Sequence, residues 1–497
     1  MNKTPRHLFS AKLAFPLILA LLLGLGAFLR FSDLSAPLLD FHPTRQLFSA
    51  IKARGLYFQS LPDAPAWQKD LALRQYSGEA TIEPPLVEHL AVFFYARFGE
   101  QTAFPRAASG LFWLIGAIFL FWLSKNLTGS SNAALFSLAF YLLLPYGITA
   151  SRAFQPDPLM VMFIIIFWWS VEHWSRRPSW GWTLISGLSG GLAILVKFPA
   201  AFFVIGAALA AILAHLGFVK SLKLPQTWAL AVLGVLPPAA YLYYGLYVDG
   251  SLRQQFGGRF YPELWISPFF YLRWFLKLEN VVNILWIALA LFGWLVFASK
   301  PAKTFLSGLW IAYLIFGLTF AHHISSHDYY SLPFIPIAAL SIAPLAGAFL
   351  PVFLKKIRSV RSLQLLVLVL ILLTLSFYSI DQYLARRAND YRPQAAFWAQ
   401  VGETIGHQPG AVALTTDYGY PLAYYGWQNA DPWPLAPDIQ DFDEVFSRLR
   451  QGKSYFLVTD FDEYERQPEL QKRLNEKFPV LAQGRGFIVF DLYHPKQ

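Results

Sequence analysis

The first 380 residues contain eleven stretches of 17 to 23 mainly apolar residues, at 13–31, 106–124, 131–150, 157–174, 180–196, 199–218, 226–246, 281–298, 304–321, 331–353 and 363–380. A helix that crosses the hydrocarbon core of a bilayer needs about 20. Only 14% of the 497 residues are Asp, Glu, Lys or Arg, against about 25% in soluble proteins. Too little charge is present to cover a soluble fold of this length. The sequence therefore predicts an all-α polytopic membrane protein of about 11 transmembrane helices. Cysteine is absent, which excludes disulfide scaffolds, thiolate nucleophiles and cysteine-ligated metals.

The charge that exists is unevenly divided. Residues 1–380 carry 28 Lys and Arg against 14 Asp and Glu, a net of +14; residues 381–497 carry 12 against 16, a net of −4; together they give the chain's +10. Basic residues of membrane proteins collect in cytoplasmic loops, so the excess sets topology and does not point to nucleic acid. Segment 84–99 is apolar but short, opens with Pro84-Pro85 and contains Glu88, His89 and Arg97. Read as an interfacial helix, it leaves the amino terminus cytoplasmic. Lys125, Arg176-Arg177, Lys220, Lys223, Lys300, Lys303, Lys355, Lys356, Arg358 and Arg361 then share the cytoplasmic side, as the bias requires. The predicted location is the cell (inner) membrane. All acids before residue 381 except Glu172 fall outside. The positive-inside rule says little about acids, so this skew marks polar work at the outer face.

Four external segments carry candidate chemistry. The loop 32–83 opens with Asp40, His42, Arg45 and Gln46 and closes with Glu83-Pro84-Pro85. Ser151-Arg152-Ala153-Phe154-Gln155-Pro156-Asp157-Pro158 joins two spans, and Asp157 suits either a helix cap or a functional carboxylate. Lys197 interrupts a long apolar run, where snorkelling is the plain reading. His322, His323, His327, Asp328 and Tyr329 lie in a fourth loop. Its imidazoles suit a divalent metal, a phosphate or a sugar. The sequence assigns no cofactor with certainty, and a divalent metal on His322, His323 and His327 stays open. Ionisable groups this close to hydrocarbon are costly and usually functional.

A carboxylate with several cations at the outer boundary of a bilayer suits transfer from a lipid-linked phosphate. The carboxylate takes a proton from an acceptor hydroxyl while the cations hold the departing phosphate. In the order of its features the chain resembles the polytopic GT-C glycosyltransferases, the group that contains protein O-mannosyltransferases and aminoarabinose transferases, and more closely their bacterial family 39 relatives. The likeness rests on Arg30-Phe31-x-Asp33-Leu34, on D-x-H-x-x-R-Q at Asp40 to Gln46, on Glu83-x-Pro85, on S-R-A-x-x-P-D at 151–157, on Gly190-Gly191-Leu192-Ala193 before Lys197, and on H-D-Y-Y-x-L-P at 327–333. It covers about 1–380. Departures are Phe41 after Asp40, where many members have a second acid, and Glu83 where many have lysine.

The resemblance implies an inverting transfer with Asp40 as base. Arg45, Arg152 and Lys197 are then expected to hold the donor phosphate. His42, Glu83, Asp157, His327, Asp328 and Tyr329 are expected to orient sugar or acceptor. The expected partners are a polyprenyl-phosphate sugar, membrane lipids and an acceptor that is protein, lipid or polysaccharide. A transporter or a non-catalytic scaffold is the alternative, although no internal repeat is visible.

Residues 381–497 hold no long apolar run. Helical patterns at 395–405, 441–451 and 469–478 alternate with strand patterns at 411–416, 455–459 and a final pair within 479–491, which predicts a small C-terminal α/β extracytoplasmic domain. The expected division is thus a 1–380 transmembrane domain, with 32–105 as its first external loop, and a 381–497 soluble domain.

Overall fold

The computed structural model describes residues 11–253, 260–356, 380–381, 383–385 and 388–496. Arg358, Arg361 and nearly all of the predicted last span lie outside these residues. The chain forms two compact units, one of residues 1–34, 81–86 and 106–388, the other of 35–80, 87–105 and 389–497.

The first unit is helical. Among the described residues four helices are long and apolar enough to cross a membrane: Ala103–Thr128, Asp157–Arg176, Pro225–Val248 and Lys300–Thr319. A fifth arises if Pro268–Val282 and Ile284–Leu295, bent by 90°, count as one span. Phe15–Phe31, Ser131–Leu143, Trp180–Val196, Ala200–Leu216 and Phe334–Leu345 are shorter apolar helices. Two departures from the predicted spans have local causes. The span expected at 131–150 breaks at Leu144, whose extended backbone (φ −61°, ψ 125°) is what the following Pro145 demands. The span expected at 281–298 begins inside another helix, and Asn283, in a positive-φ conformation (66°), turns the chain and caps the second arm through Leu285 N.

Helix packing in this unit depends on small residues, because lipid offers helices no hydrophobic incentive to associate. Trp180–Val196 packs against Asp157–Arg176 on one side and Pro225–Tyr243 on the other. A Cβ built on Gly187 would lie 2.5 Å from the Leu233 side chain, and one on Gly191 2.5 Å from the Leu233 carbonyl oxygen. A Cβ on Gly190 would meet Phe167 at 2.9 Å. The Gly190-Gly191 pair in the sequence is therefore a packing element that brings the Lys197 end of this helix close to its neighbours.

The second unit joins residues 35–80 and 87–105 to the C-terminal stretch. Helix Pro43–Gln59 packs on Ala66–Gly78 and on Tyr420–Tyr425. The sheet has five strands, β1 Ala411–Leu414, β2 Ala430–Pro432, β3 Tyr455–Val458, β4 Val480–Gly484 and β5 Phe487–Asp491, in the order β2-β1-β3-β5-β4. Strands β2, β1 and β3 are parallel, and β5 is antiparallel to both β3 and β4. Val412, Leu414, Phe456, Val458 and Phe490 face one cluster with Phe446, Leu470 and Leu474. Ala413, Leu457 and Val489 face another with Trp398, Val401 and Ile405. Burial on both faces explains why β1, β3 and β5 read as mainly apolar runs. The helices expected at 395–405, 441–451 and 469–478 occupy Arg392–Ile405, Phe442–Arg450 and Pro468–Lys477.

Gly191→Ala is expected to lower the unfolding midpoint in detergent, by about 1–3 kcal/mol of overpacking. Gly181→Ala in the same helix, where a Cβ meets nothing within 4 Å, should not destabilise. Equal effects of the two would contradict the packing role.

Candidate functional site

In the second unit the site begins where helix Pro43–Gln59 starts. His42 holds a left-handed conformation (φ 42°, ψ 71°) immediately before Pro43 at the first helical position. A non-glycine residue in that region costs free energy and is found where function or packing fixes it. The turn is anchored by Gln46, fully buried, whose Nε2 donates to Phe41 O at 2.6 Å and to Asp40 Oδ1 at 3.2 Å. Leu38, Leu39 and Leu47, on either side of it in the chain, are buried. Asp40, His42 and Arg45 are half-buried.

Around this turn lie acids and cations that the sequence did not single out. Asp417, from the C-terminal stretch, lies near Thr44 and His42; burial raises its carboxyl above the ordinary range, against the pull of Thr44 and His42. Asp417 and Tyr418 both have positive φ (51° and 54°). Glu88 is buried, and its carboxyl is raised above 4.5 by desolvation, opposed by Ser49, its own backbone, Lys52 and Arg45. Glu79 accepts from Tyr420 Oη at 2.9 Å and is likewise raised by burial, opposed by Tyr420 and Lys52. Arg45 and Lys52 both act on Glu88 and both lie near the Phe48 ring, at 5.3 and 5.1 Å. Lys52 is the missed cation: at 5% exposure it is more buried than Arg45.

In the first unit Lys197, which ends helix Trp180–Val196, is 6% exposed and Asp157 1%. Lys197 Nζ donates to Asp157 Oδ1 at 2.9 Å and Oδ2 at 3.1 Å. It also stands over the rings of Tyr329 and Tyr330, at 5.2 and 5.1 Å. Asp157 is not a side-chain cap; it occupies the first turn of its helix, where the dipole favours a carboxylate. Nor does Lys197 snorkel: it is held by a partner. Arg152 is buried and its Nη2 donates to Asp33 O at 2.6 Å, fixing the end of the first helix. Asp328 is 9% exposed and accepts from Tyr146 Oη at 2.8 Å and Asn280 Nδ2 at 2.6 Å. Gln155 is fully buried and, among the described residues, neither of its amide atoms has a hydrogen-bond partner, so it calls for a water or ligand. Glu83 is half-buried in the bend before Pro84.

The three imidazoles do not converge. His322 and His323 sit edge to face, with ring centroids 5.5 Å apart, and His327 Nδ1 contacts Ser326 Oγ at 2.8 Å. Among the described residues no group of three His, Cys, Asp or Glu can hold a metal ion. His327 instead packs against Tyr329 and Tyr330.

The model of the dolichyl-phosphate-mannose-protein mannosyltransferase family matches residues 82–244. The crystal structure of ArnT from Cupriavidus metallidurans bound to undecaprenyl phosphate matches with a TM-score of 0.62 at 14% identity, covering 98% of this chain and 100% of that one. Its apo form matches with a TM-score of 0.64 at 16% identity and the same coverage. The chain has the GT-C fold. The archaeal oligosaccharyltransferase AglB from Archaeoglobus fulgidus, in complex with an inhibitory peptide and a dolichol-phosphate, matches more distantly, with a TM-score of 0.52 at 9% identity, covering 96% of this chain and 74% of AglB. No curated protein sequence matches. Within the GT-C chain, the stretch matched by the family model contains Glu83, Arg152, Asp157 and Lys197. Asp40, His42 and Arg45 precede it, and His327, Asp328 and Tyr329 follow it.

Removing one partner of a buried pair strands the other charge, at a cost of about 3–5 kcal/mol. Asp157→Asn should therefore lower the unfolding midpoint sharply, and Asp157→Leu with Lys197→Met should recover most of the loss; a mild single variant would contradict the pairing. A second expectation concerns pH. Glu88 has a higher pKa folded than unfolded, so its contribution to stability is complete below 4.5 and is lost as pH rises through the folded value. Glu88→Gln should gain stability relative to the wild type on going from below that window to neutral pH. A constant difference in thermal midpoint would contradict it.

Proposed function

We propose that this protein is a glycosyltransferase that moves a sugar from a polyprenyl-phosphate donor to an acceptor hydroxyl at the outer face of the cell (inner) membrane. The reading has the amino terminus in the cytoplasm and the α/β part outside. The observation that carries it is full-length similarity to ArnT, a protein crystallised with undecaprenyl phosphate. The match to the mannosyltransferase family model supports the reaction class.

In the proposed reaction Asp40 accepts the proton of the acceptor hydroxyl as that oxygen attacks the anomeric carbon. The new C–O bond forms on the face opposite the phosphate, the bond from carbon to phosphate oxygen breaks, and polyprenyl phosphate leaves with the electron pair. Inversion follows from the single displacement. Gln46 orients Asp40 from below, a positioning role. Arg45, in the second unit, and Arg152 and Lys197, in the first, are the proposed phosphate-holding cations. Lys197 would share itself between the phosphate and Asp157. A charge already paired and desolvated costs little to reorganise when an anion arrives. His42, Glu83, Asp157, His327, Asp328 and Tyr329 are assigned to orienting sugar or acceptor.

Asp40→Asn is expected to lower transfer from a polyprenyl-phosphate sugar by about 10²–10⁴-fold, the range of general-base catalysis, with donor binding retained. Turnover equal to wild type from that folded variant would contradict the assignment. Donor that binds but is moved intact across proteoliposomes would instead make the protein a transporter.

A further inference from the structure

Away from the turn at Asp40, the second unit carries a cleft of about 490 Å³ that the proposed chemistry does not use. One wall is helix Ala66–Gly78, where Trp67, Asp70 and Arg74 recur at helical spacing and so share one face. The other wall is the loop after Arg392–Ile405, with His407 and Gln408, and Asn429 beside the start of β2. The volume suits a small ligand.

Three features show that the cleft is built. Trp67 stacks on His407, with centroids 4.7 Å apart and planes 12° from parallel, and meets Trp427 edge to face at 5.9 Å. It is nevertheless 46% exposed, so a large aromatic surface faces solvent while its orientation is fixed from behind. His407 and Trp427 are both non-glycine residues with positive φ, 55° and 46°, strain that tends to gather at ligand sites. Trp427 is in turn clamped by the Arg54 guanidinium, 3.9 Å from its ring and 3.9 Å from that of Tyr424. Finally, His407 Nδ1 lies 3.1 and 3.2 Å from the carbonyl oxygens of Gly426 and Trp427. Carbonyls only accept, so Nδ1 carries a proton and holds the ring in place.

A fixed aromatic face ringed by a carboxylate, a guanidinium, two amides and an imidazole suits a flat ring with an apolar C–H face and hydroxyls at its rim. Asp70 and Arg74 already bond each other at 2.7 Å on the surface, so each can bond a hydroxyl without being stranded. We propose that this cleft binds a pyranose unit of the acceptor glycan, stacked on Trp67 and held at its hydroxyls by Asp70, Arg74, His407, Gln408 and Asn429. The acceptor role rests on the glycosyltransferase reading; the sugar site itself does not.

The test uses the full chain in lipid nanodiscs, labelled with 5-fluorotryptophan, with the Trp67 signal identified by its loss in Trp67→Phe. Methyl glycosides of glucose, mannose and N-acetylglucosamine are titrated in, alongside a blocked serine-threonine peptide. At least one glycoside should shift the Trp67 signal saturably. Asn429→Ala, an exposed change, should weaken that binding about three- to tenfold, the loss of one hydrogen bond. Trp67→Ala, read by saturation-transfer from the glycoside, should weaken it about tenfold or more. No saturable shift with any glycoside, or a shift with the peptide alone, overturns the proposal. Hydrolysis of a polyprenyl-phosphate sugar is measured on the same sample. Hydrolysis without glycoside binding removes the cleft and leaves the transferase reading standing. Glycoside binding without hydrolysis removes the acceptor role and the transferase reading together.

Discussion

Lys197 and Asp157 form an ion pair in a helical unit with little charge to spare. Neither charge can be left alone where it stands: an isolated ammonium or carboxylate out of water costs several kcal/mol even after relaxation. Their pairing therefore constrains three elements at once. The helix Trp180–Val196 must end at Lys197, the helix Asp157–Arg176 must begin at Asp157, and the loop with Tyr329 and Tyr330 must lie over the ammonium. Gly190, packed against Phe167, lets these two helices approach closely enough for that geometry.

The second unit solves a related problem differently. Its acids are numerous and several are buried, so burial raises their carboxyls, while hydroxyls and distant cations draw them back. Tyr420 serves Glu79, donating its hydroxyl to that carboxylate. Asp40 accepts a hydrogen bond from the amide of Gln46.

Much of this was legible in the sequence because it is written in local patterns. Apolar runs located the helices, and alternating apolar blocks located most of the C-terminal strands. β2 was missed because three residues, Ala430–Pro432, are too few to show a period and end in proline. The break at Leu144 and the bend at Asn283 were hidden because both sit inside runs apolar enough to read as one helix. The clusters themselves were half visible. Asp40, His42 and Gln46 are neighbours in the chain, whereas Asp417 reaches His42 from the far end, and Asn280 reaches Asp328 from another helix. Contacts of that span leave no trace in spacing. Close spacing alone does not make a ligand set: among the described residues the histidine run gives no group of three that could hold a metal ion.

The most direct test of the account is to identify the lipid that travels with the protein. Purified in mild detergent, extracted and analysed by mass spectrometry, the protein should carry a polyprenyl phosphate or its sugar-linked form, released on Lys197→Met. Recovery of bulk phospholipid alone, with added polyprenyl phosphate failing to bind, would contradict it.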